Sequence, residues 1–596
     1  MNYGLPEDYE RLERLGVSVK GAIVIAKYGR SWRGIKPKVA AEHGAVGCLI
    51  YSDPRDDGYV SDDVFPKGPM RPPDGVQRGS VMDFGANWPG DPLTPGVGAT
   101  PDAKRLDRKD APSLTKIPVL PISYGDAQPL LAALGGPLAP ADWRGALPIT
   151  YRVGPGPAKA HLKLAFNWDI KDVYNVIARI PGAERPDQWI VRGNHHDAWV
   201  NGAEDPVSGI NVLLEEARAM GVLLKQGWRP KRTIVYCAWD GEEPMLLGST
   251  EWVEAHAAEL KQHAVAYLNT DGNGRGFLGM GGSHTLERFM NDVARDVKDP
   301  ETGLSVWKRL QLASIAAPGA DKKALRERAD LRLDALGSGT DFTAFLDHVG
   351  VASLNLGFGG EDEGGIYHSI YDTFYWYTHF SDTDFAYGKA LAQTVGLGVM
   401  RLAGADLLPF EFGGLADTVG VYLKELQKLS EAKREEIVER NRQIEDGVFK
   451  ATLDPRRPTV APKREDAPPF LNFAPFENAA ATLTKSAERY EKALATAWEK
   501  GVPADALRAL DKKLIESERR LLDPAGLPRR PWYKHVLYAP GVYSGYDVKT
   551  VPGVREAIEG KRWAEADAEI VRVAKVLSSE AELIASAAED LEKLVK

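Results

Sequence analysis

Histidines and carboxylates recur where short β-branched runs end. His195-His196-Asp197 follows QWIVRGN, and Asp205 comes eight positions after Asp197, in AEDPVSG. Asp240-Gly241-Glu242-Glu243 follows TIVYCAW, Asp271 follows YLNT, and Tyr367 and His368 stand further on in GIYHS. Two imidazoles with several carboxylates suit a borderline-soft ion such as zinc. The ligands suffice for two ions, with one carboxylate bridging. Such a pair clamps a water and a substrate oxygen together. Taken singly, each piece has a plainer explanation. His-His-Asp can be a surface turn, WDGEE can be acidic residues favouring a helix N-terminus, and Asp205-Pro206 can be an ordinary turn. Their joint order and their placement at strand ends carry the argument.

The elements that must position them follow an alternating pattern. From about Val173, NVIARI, QWIVRGN, a helical stretch over 208–225, RTIVYCAW, a helix from Leu247 and AVAYLNT follow one another. That alternation predicts an α/β domain with a largely parallel sheet. Such sheets present functional groups at the carboxyl ends of their strands. Upstream, AIVIAKY and VGCLIYS predict two strands, with a helical stretch around 38–43 between them. Residues 56–100 are rich in Pro, Gly and Asp and read as ordered loop. After about Asp406 the strands are expected to stop. Leu483, Ala487, Tyr490, Leu494 and Trp498 keep helical spacing, and a proline-rich linker spans 454–469. No internal repeat is found.

Length and composition narrow the rest. The 596 residues correspond to about four domains at roughly 150 residues each. With 43% hydrophobic and 27% charged residues the chain is globular. A net charge of -9 argues against a nucleic-acid partner. No apolar run approaches the ~20 residues of a membrane span. Two cysteines, Cys48 and Cys237, exclude a disulfide framework and a cysteine-based zinc site.

With these motifs in place, the sequence resembles the glutamate carboxypeptidase II and transferrin-receptor branch of the co-catalytic dizinc peptidases. HHDAWVNGAEDPVSG, GWRPKRTIVYCAWDGEEPMLLGSTEW, AYLNTDG, LGSGTDFTAFLDHVGVAS and GIYHSIYDT carry the likeness. AKYGRSWRGIKPKVAAEHGAVGCLIYSDP, PDGVQRGS and GDPLTPG extend it upstream, and LLDPAGLPRRPWYKHVLYAP extends it downstream. The resemblance implies an α/β dizinc aminopeptidase-like mixed or parallel sheet with helices on both faces. A protease-associated (apical) domain and a C-terminal helical dimerisation domain would accompany it. The expected divisions are 1–168 for the apical domain, 169–406 for the protease domain and 407–596 for the dimerisation domain. Family members carry upstream sequence, so the apical domain is expected to be N-terminally incomplete here. Any signal or anchor would lie in that upstream part, and the family suggests a secreted or extracytoplasmic setting.

Position by position, the resemblance implies two zinc ions. His195 and Asp271 would hold one, Glu243 and His368 the other, and Asp205 both. Asp197 would orient His195, Glu242 would be the general base, and Tyr367 would donate to the developing oxyanion. Gly339, Thr340, Asn355 and Tyr546 match substrate-binding positions. Glu251, Glu254 and Thr94 match a calcium site whose remaining ligand, a tyrosine, is Val97 here. All five zinc ligands and the base are present, which favours a zinc exopeptidase acting on small peptides, with a homodimer as its assembly. An inactive transferrin receptor-like binding protein is the non-enzyme alternative.

Specificity departs from the family. Positions matching its glutamate-binding cations are Leu5, Asn355, Gly357 and Gly545, so no cation is expected in the pocket and no preference for glutamate. Arg332 is the nearest replacement in sequence. Glu361, Asp362 and Glu363 form an acidic loop before Tyr367 and are expected to offer an amine-binding edge, which would suit an aminopeptidase or dipeptidase.

Overall fold

The computed structural model describes residues 1–453 and 459–595, so residues 454–458 of the expected linker lie outside the described residues. Two sheets carry the chemistry. The first is small and parallel: β1 (Ile23–Lys27), β2 (Gly47–Tyr51) and β3 (Val119–Ile122), in that order. Val24 faces Cys48, and Cys48 faces Val119. Parallel neighbours need a crossover, and the helix Ile35–Glu42 provides it between β1 and β2. The loop leaving β1 toward that helix holds Trp32 and Arg33. Residues 58–107 contain no helix or strand beyond an isolated bridge, as their Pro, Gly and Asp content predicts.

The second sheet has six strands: β4 (Val176–Ile180), β5 (Arg185–His195), β6 (Arg232–Trp239), β7 (Ala264–Asn269), β8 (Gly276–Gly282) and β9 (Ala352–Gly360). Their order is β4-β6-β5-β7-β9-β8. The four inner strands are parallel, and the edge strands β4 and β8 run antiparallel to them. β7 is buried along its whole length and β6 nearly so. Both read as continuous apolar runs rather than alternating ones because both of their faces are covered. The helices Gly209–Lys225 and Ala386–Gly404 pack on each other and on β5 and β6, and Ala257–His263 packs on β5 and β7. Register brings the strand ends level: Gly193 faces Cys237 and Asn269, and Asn269 faces Asn355. The segments that follow β5, β6 and β7 therefore leave the sheet side by side.

The C-terminal part is built on the long helices Gly413–Glu445, Ala474–Glu499 and Trp563–Leu594, with Leu510–Arg520 beside the last. Leu483, Tyr490, Leu577 and Ile584 are fully buried along it. The expectation that strands stop after Asp406 is corrected by a hairpin, β10 (Pro540–Gly541) and β11 (Gly545–Val548). Its strands are too short to leave an apolar run in the sequence. Asp511 joins the helical part to the large sheet. Its carboxylate lies 2.7 Å from Arg185 and 2.6 Å from Arg232, the first residues of β5 and β6, and accepts the backbone N–H of Leu408. Cys48 and Cys237 are buried and unpaired.

Candidate active site

Two groups of ligand atoms converge beyond the carboxyl ends of β5, β6 and β7. One is His195, Asp205 and Asp271; the other is Asp205, Glu243 and His368. His195 Nε2 lies 3.0 Å from Asp271 Oδ1 and 3.2 Å from Asp205 Oδ1. His368 Nε2 lies 3.1 Å from Glu243 Oε2 and 3.2 Å from Asp205 Oδ2. The two oxygens of Asp205 thus face different histidines. In each group one imidazole nitrogen confronts two carboxylates, and a single N–H cannot serve both, whereas a cation between the three can. The other ring nitrogens are engaged behind the site. His195 Nδ1 faces the Asp197 carbonyl at 3.1 Å and its carboxylate at 3.4 Å, and His368 Nδ1 faces the Arg78 carbonyl at 3.1 Å. Both inward nitrogens are therefore free to bring lone pairs to an ion. The donor set fits zinc.

Local structure explains how the ligands are aimed. Asp205 sits in a wide turn, Ala203–Ser208, with extended backbone angles of −110° and 102° and a cis bond to Pro206. Asp372 clamps that turn by accepting the N–H of Glu204 at 2.7 Å and of Asp205 at 3.1 Å. Asp197 accepts the backbone N–H of Glu242 at 2.9 Å and of Glu243 at 3.1 Å. One carboxylate thereby sets both the ring of His195 and the backbone of the acidic pair. Glu243 also accepts the N–H of Trp199 at 3.1 Å.

The electrostatics follow from crowding negative charge in a buried place. Burial, reinforced by Asp271, Asp341 and Glu243 and opposed by His195, pushes the Glu242 carboxyl well above its ordinary range. Burial and Asp205 push Glu243 up to about 9. For Asp205 burial acts upward, but His195 and His368 together hold the group below the usual range. Charge of this density is stabilised by cations.

A cavity of about 260 Å³ opens over these groups, lined on one side by Trp32, Gly339, Tyr367 and Tyr546. The Tyr367 ring stacks on His368 with centroids 3.7 Å apart. Behind the two tyrosines lies Arg33, which is 4% exposed. Its guanidinium stands 3.2 Å from His368 Nδ1, 3.4 Å from the Tyr367 hydroxyl, 3.5 Å from the Tyr546 hydroxyl and 4.4 Å over the Trp32 ring. Among the described residues no carboxylate pairs with it.

Among the described residues no Lys or Arg lines the cavity itself, as expected, but Arg33 stands directly behind two of its tyrosines. Leu5 precedes the helix Pro6–Arg14 and packs into the core. Arg332 is paired with Asp417 at 2.7 Å. The cation comes instead from the loop after β1, which sequence reasoning missed. A basic residue between glycines looks like surface loop, and its one signal was position, at the carboxyl end of a parallel strand. The acidic loop is corrected. Glu361 pairs with Arg309 at 2.6 Å, and Asp362 accepts from the Arg275 N–H and the Ser381 hydroxyl. Neither they nor Glu363 line the cavity.

Of the four expected substrate-binding residues, Gly339 and Tyr546 line the cavity. Thr340 and Asn355 lie behind it, both accepting from the Asn269 side-chain amide. At the expected calcium position, Glu251 accepts from the Asp91 and Ala99 N–H groups and from Thr94 Oγ1. Glu254 accepts from the Trp532 indole at 2.6 Å, while its Oε2 is buried without a donor among the described residues. Val97 is half exposed. β11 enters the site by close packing: Gly545, at φ +72°, lies so near Trp32 that a Cβ there would stand 1.9 Å from the Trp32 Cβ.

The comparisons agree with this geometry. Residues 175–381 match the model of Peptidase family M28, and residues 471–585 match the Transferrin receptor-like dimerisation domain. A probable glutamate carboxypeptidase of Arabidopsis thaliana is 35% identical over 589 residues, covering 97% of this chain and 76% of its own. A second probable glutamate carboxypeptidase, from Arthroderma benhamiae, is 36% identical over 600 residues, covering 98% and 76%. The aminopeptidase NAALADL1 of Mus musculus is 31% identical over 613 residues, covering 97% and 76%. The chain belongs to peptidase family M28, zinc exopeptidases, in the glutamate carboxypeptidase branch that carries a transferrin receptor-like dimerisation domain.

Proposed function

We propose that this exopeptidase uses two zinc ions and removes the C-terminal residue of short peptides without requiring that it be glutamate. His195 and Asp271 would hold one ion, Glu243 and His368 the other, and Asp205 would offer an oxygen to each. When bound, they would supply a water that is nucleophilic at neutral pH and polarise a carbonyl. Glu242, lining the cavity beside Glu243, takes the proton from the attacking water and passes it to the leaving amine. The Tyr367 hydroxyl donates to the oxygen on which charge develops. Asp197 positions His195 and the Glu242–Glu243 backbone.

The polarity rests on Arg33. A buried guanidinium whose polar neighbours are two tyrosine hydroxyls and the His368 Nδ1 has no counter-charge among the described residues, and a peptide's terminal carboxylate would supply one. Tyr546 completes that end of the cavity. Among the described residues no Lys or Arg lines the cavity, and Asn355, Gly357 and Gly545 carry no charge to pair an anionic side chain, so a C-terminal glutamate should gain little over leucine. The helical region is proposed to form a homodimer, and residues 1–168 a protease-associated domain. A calcium ion at Glu251 and Glu254 rests on the family match and on the donorless Oε2 of Glu254.

The test compares zinc-loaded wild type with Arg33→Met on N-acetylated dipeptides ending in a free acid or an amide. The wild type should favour the acid by about 10²-fold or more in kcat/KM, and the variant should lose most of that ratio, as removal of a buried charge pair implies. Equal turnover of acid and amide, or trimming of a peptide library from the amino end, would overturn the polarity.

A further inference from the structure

The cavity has a second side, lined by Glu204, Gly272, Asn273 and Phe358. Four carboxylates lie near one another there, and three are accounted for. Asp271 faces His195 at 3.0 Å. Asp372 accepts the backbone N–H groups of Glu204 and Asp205. Asp362 accepts the Arg275 N–H and the Ser381 hydroxyl. The fourth, Glu204, uses its backbone N–H on Asp372 and its carbonyl on Ser208, and its carboxylate has no donor among the described residues. Glu204 is partly exposed and faces the cavity.

The space around it is open for a ligand. The three atoms nearest a Cβ at Gly272 would all belong to Glu204: its carbonyl oxygen at 3.5 Å, and its carbonyl carbon and Cγ at 3.9 Å. A Cβ at Gly357 would find only the Gly272 carbonyl oxygen, at 3.2 Å. No side chain fills this corner, and Phe358 offers an apolar wall beside it.

Resting on the proposed polarity, which puts the terminal carboxylate at Arg33, the substrate's amino-terminal side must run toward this corner. We infer that Glu204 selects a positively charged group on the residue preceding the scissile bond, either its free α-ammonium or a lysine or arginine side chain. A carboxylate with no protein donor, crowded by Asp372, Asp362 and Asp271, is stabilised by a cationic substrate group and repels an acidic one. In the sequence Glu204, beside Asp205-Pro206, reads as part of the turn.

Three dipeptides separate the two sources of charge: Ac-Lys-Leu, Ac-norleucine-Leu and norleucine-Leu. On the zinc-loaded full chain, side-chain recognition should favour the first over the second by about tenfold or more, the range of a charge-assisted hydrogen bond. Recognition of the α-ammonium should favour the third over the second by a similar factor. Glu204→Gln, and independently Glu204→Ala, should bring whichever ratio is raised to within about twofold of one. If neither ratio departs from one in the wild type, or if both variants keep it, Glu204 is not the selector. Calorimetric affinities of the same peptides for zinc-loaded Glu242→Gln, with and without Glu204→Gln, read the same preference without turnover. Binding preference without any cleavage in the wild type would sustain Glu204 and sink the exopeptidase reading. Cleavage without preference would do the reverse, and peptides that neither bind nor react would overturn both.

Discussion

Glu242 and Glu243 are consecutive, share Asp197 as the acceptor for their N–H groups, and have different duties. Glu243 meets His368 at 3.1 Å inside a ligand group, whereas Glu242 belongs to neither group. Glu242→Gln should keep the zinc and the fold and lose roughly 10²–10⁴-fold or more in kcat. Glu243→Gln should release zinc into a chelator far more readily. Near-normal turnover in Glu242→Gln would remove it as the base. Asp205 gives one oxygen to each group, so Asp205→Ala should lower both zinc occupancies together in elemental analysis; retention of one full equivalent would contradict the bridge. These residues were legible because each stands in a short motif in the segments that follow β5 and β6. Arg33 and Glu204 were not. Arg33 reaches the site from about 160 positions before His195, on a different sheet, and only the tertiary approach of that loop reveals it.

At the level of elements, the site depends on strand ends lying level, and register is pinned at the opposite end of the sheet as well. Arg185 and Arg232 open β5 and β6 and converge on Asp511, and all three side chains are buried. Removing that carboxylate leaves two guanidinium groups buried without their counter-charge. Asp511→Ala should destabilise the fold by about 3–5 kcal/mol, read as a lower midpoint in denaturant. Asp511→Asn should recover little, because it restores the acceptor for the Leu408 N–H without the charge. A loss below about 1 kcal/mol, the worth of an exposed ion pair, would mean that water reaches the arginines. The α/β alternation and the buried runs of β6 and β7 were readable in advance because periodicity reports burial. β10 and β11 were not, since a two-residue strand has no period, and with them went the position of Tyr546 relative to the cavity.

The whole molecule brings three distant stretches to one cavity: the loop after β1, the ends of the large sheet, and the β10–β11 hairpin. The helical region that carries the hairpin matches a dimerisation domain over 471–585. Light scattering at micromolar concentration should give a dimer with an interface of at least about 1,600 Å²; a monomer would place assembly elsewhere. Among the described residues no helix is long and apolar enough to cross a membrane. Trp32 and Gly545, near opposite ends of the chain, occupy one space. The left-handed backbone of Gly545 and the 1.9 Å approach of its missing Cβ to Trp32 leave position 545 no room for any side chain. Grafting a lysine there to confer glutamate specificity would displace the indole that Arg33 stacks on, and so weaken the anchor it was meant to extend. In this scaffold a cation at 545 is a two-residue change at the least: the atom in its way is the Trp32 Cβ, which only glycine at 32 removes, and glycine there takes away the indole as well.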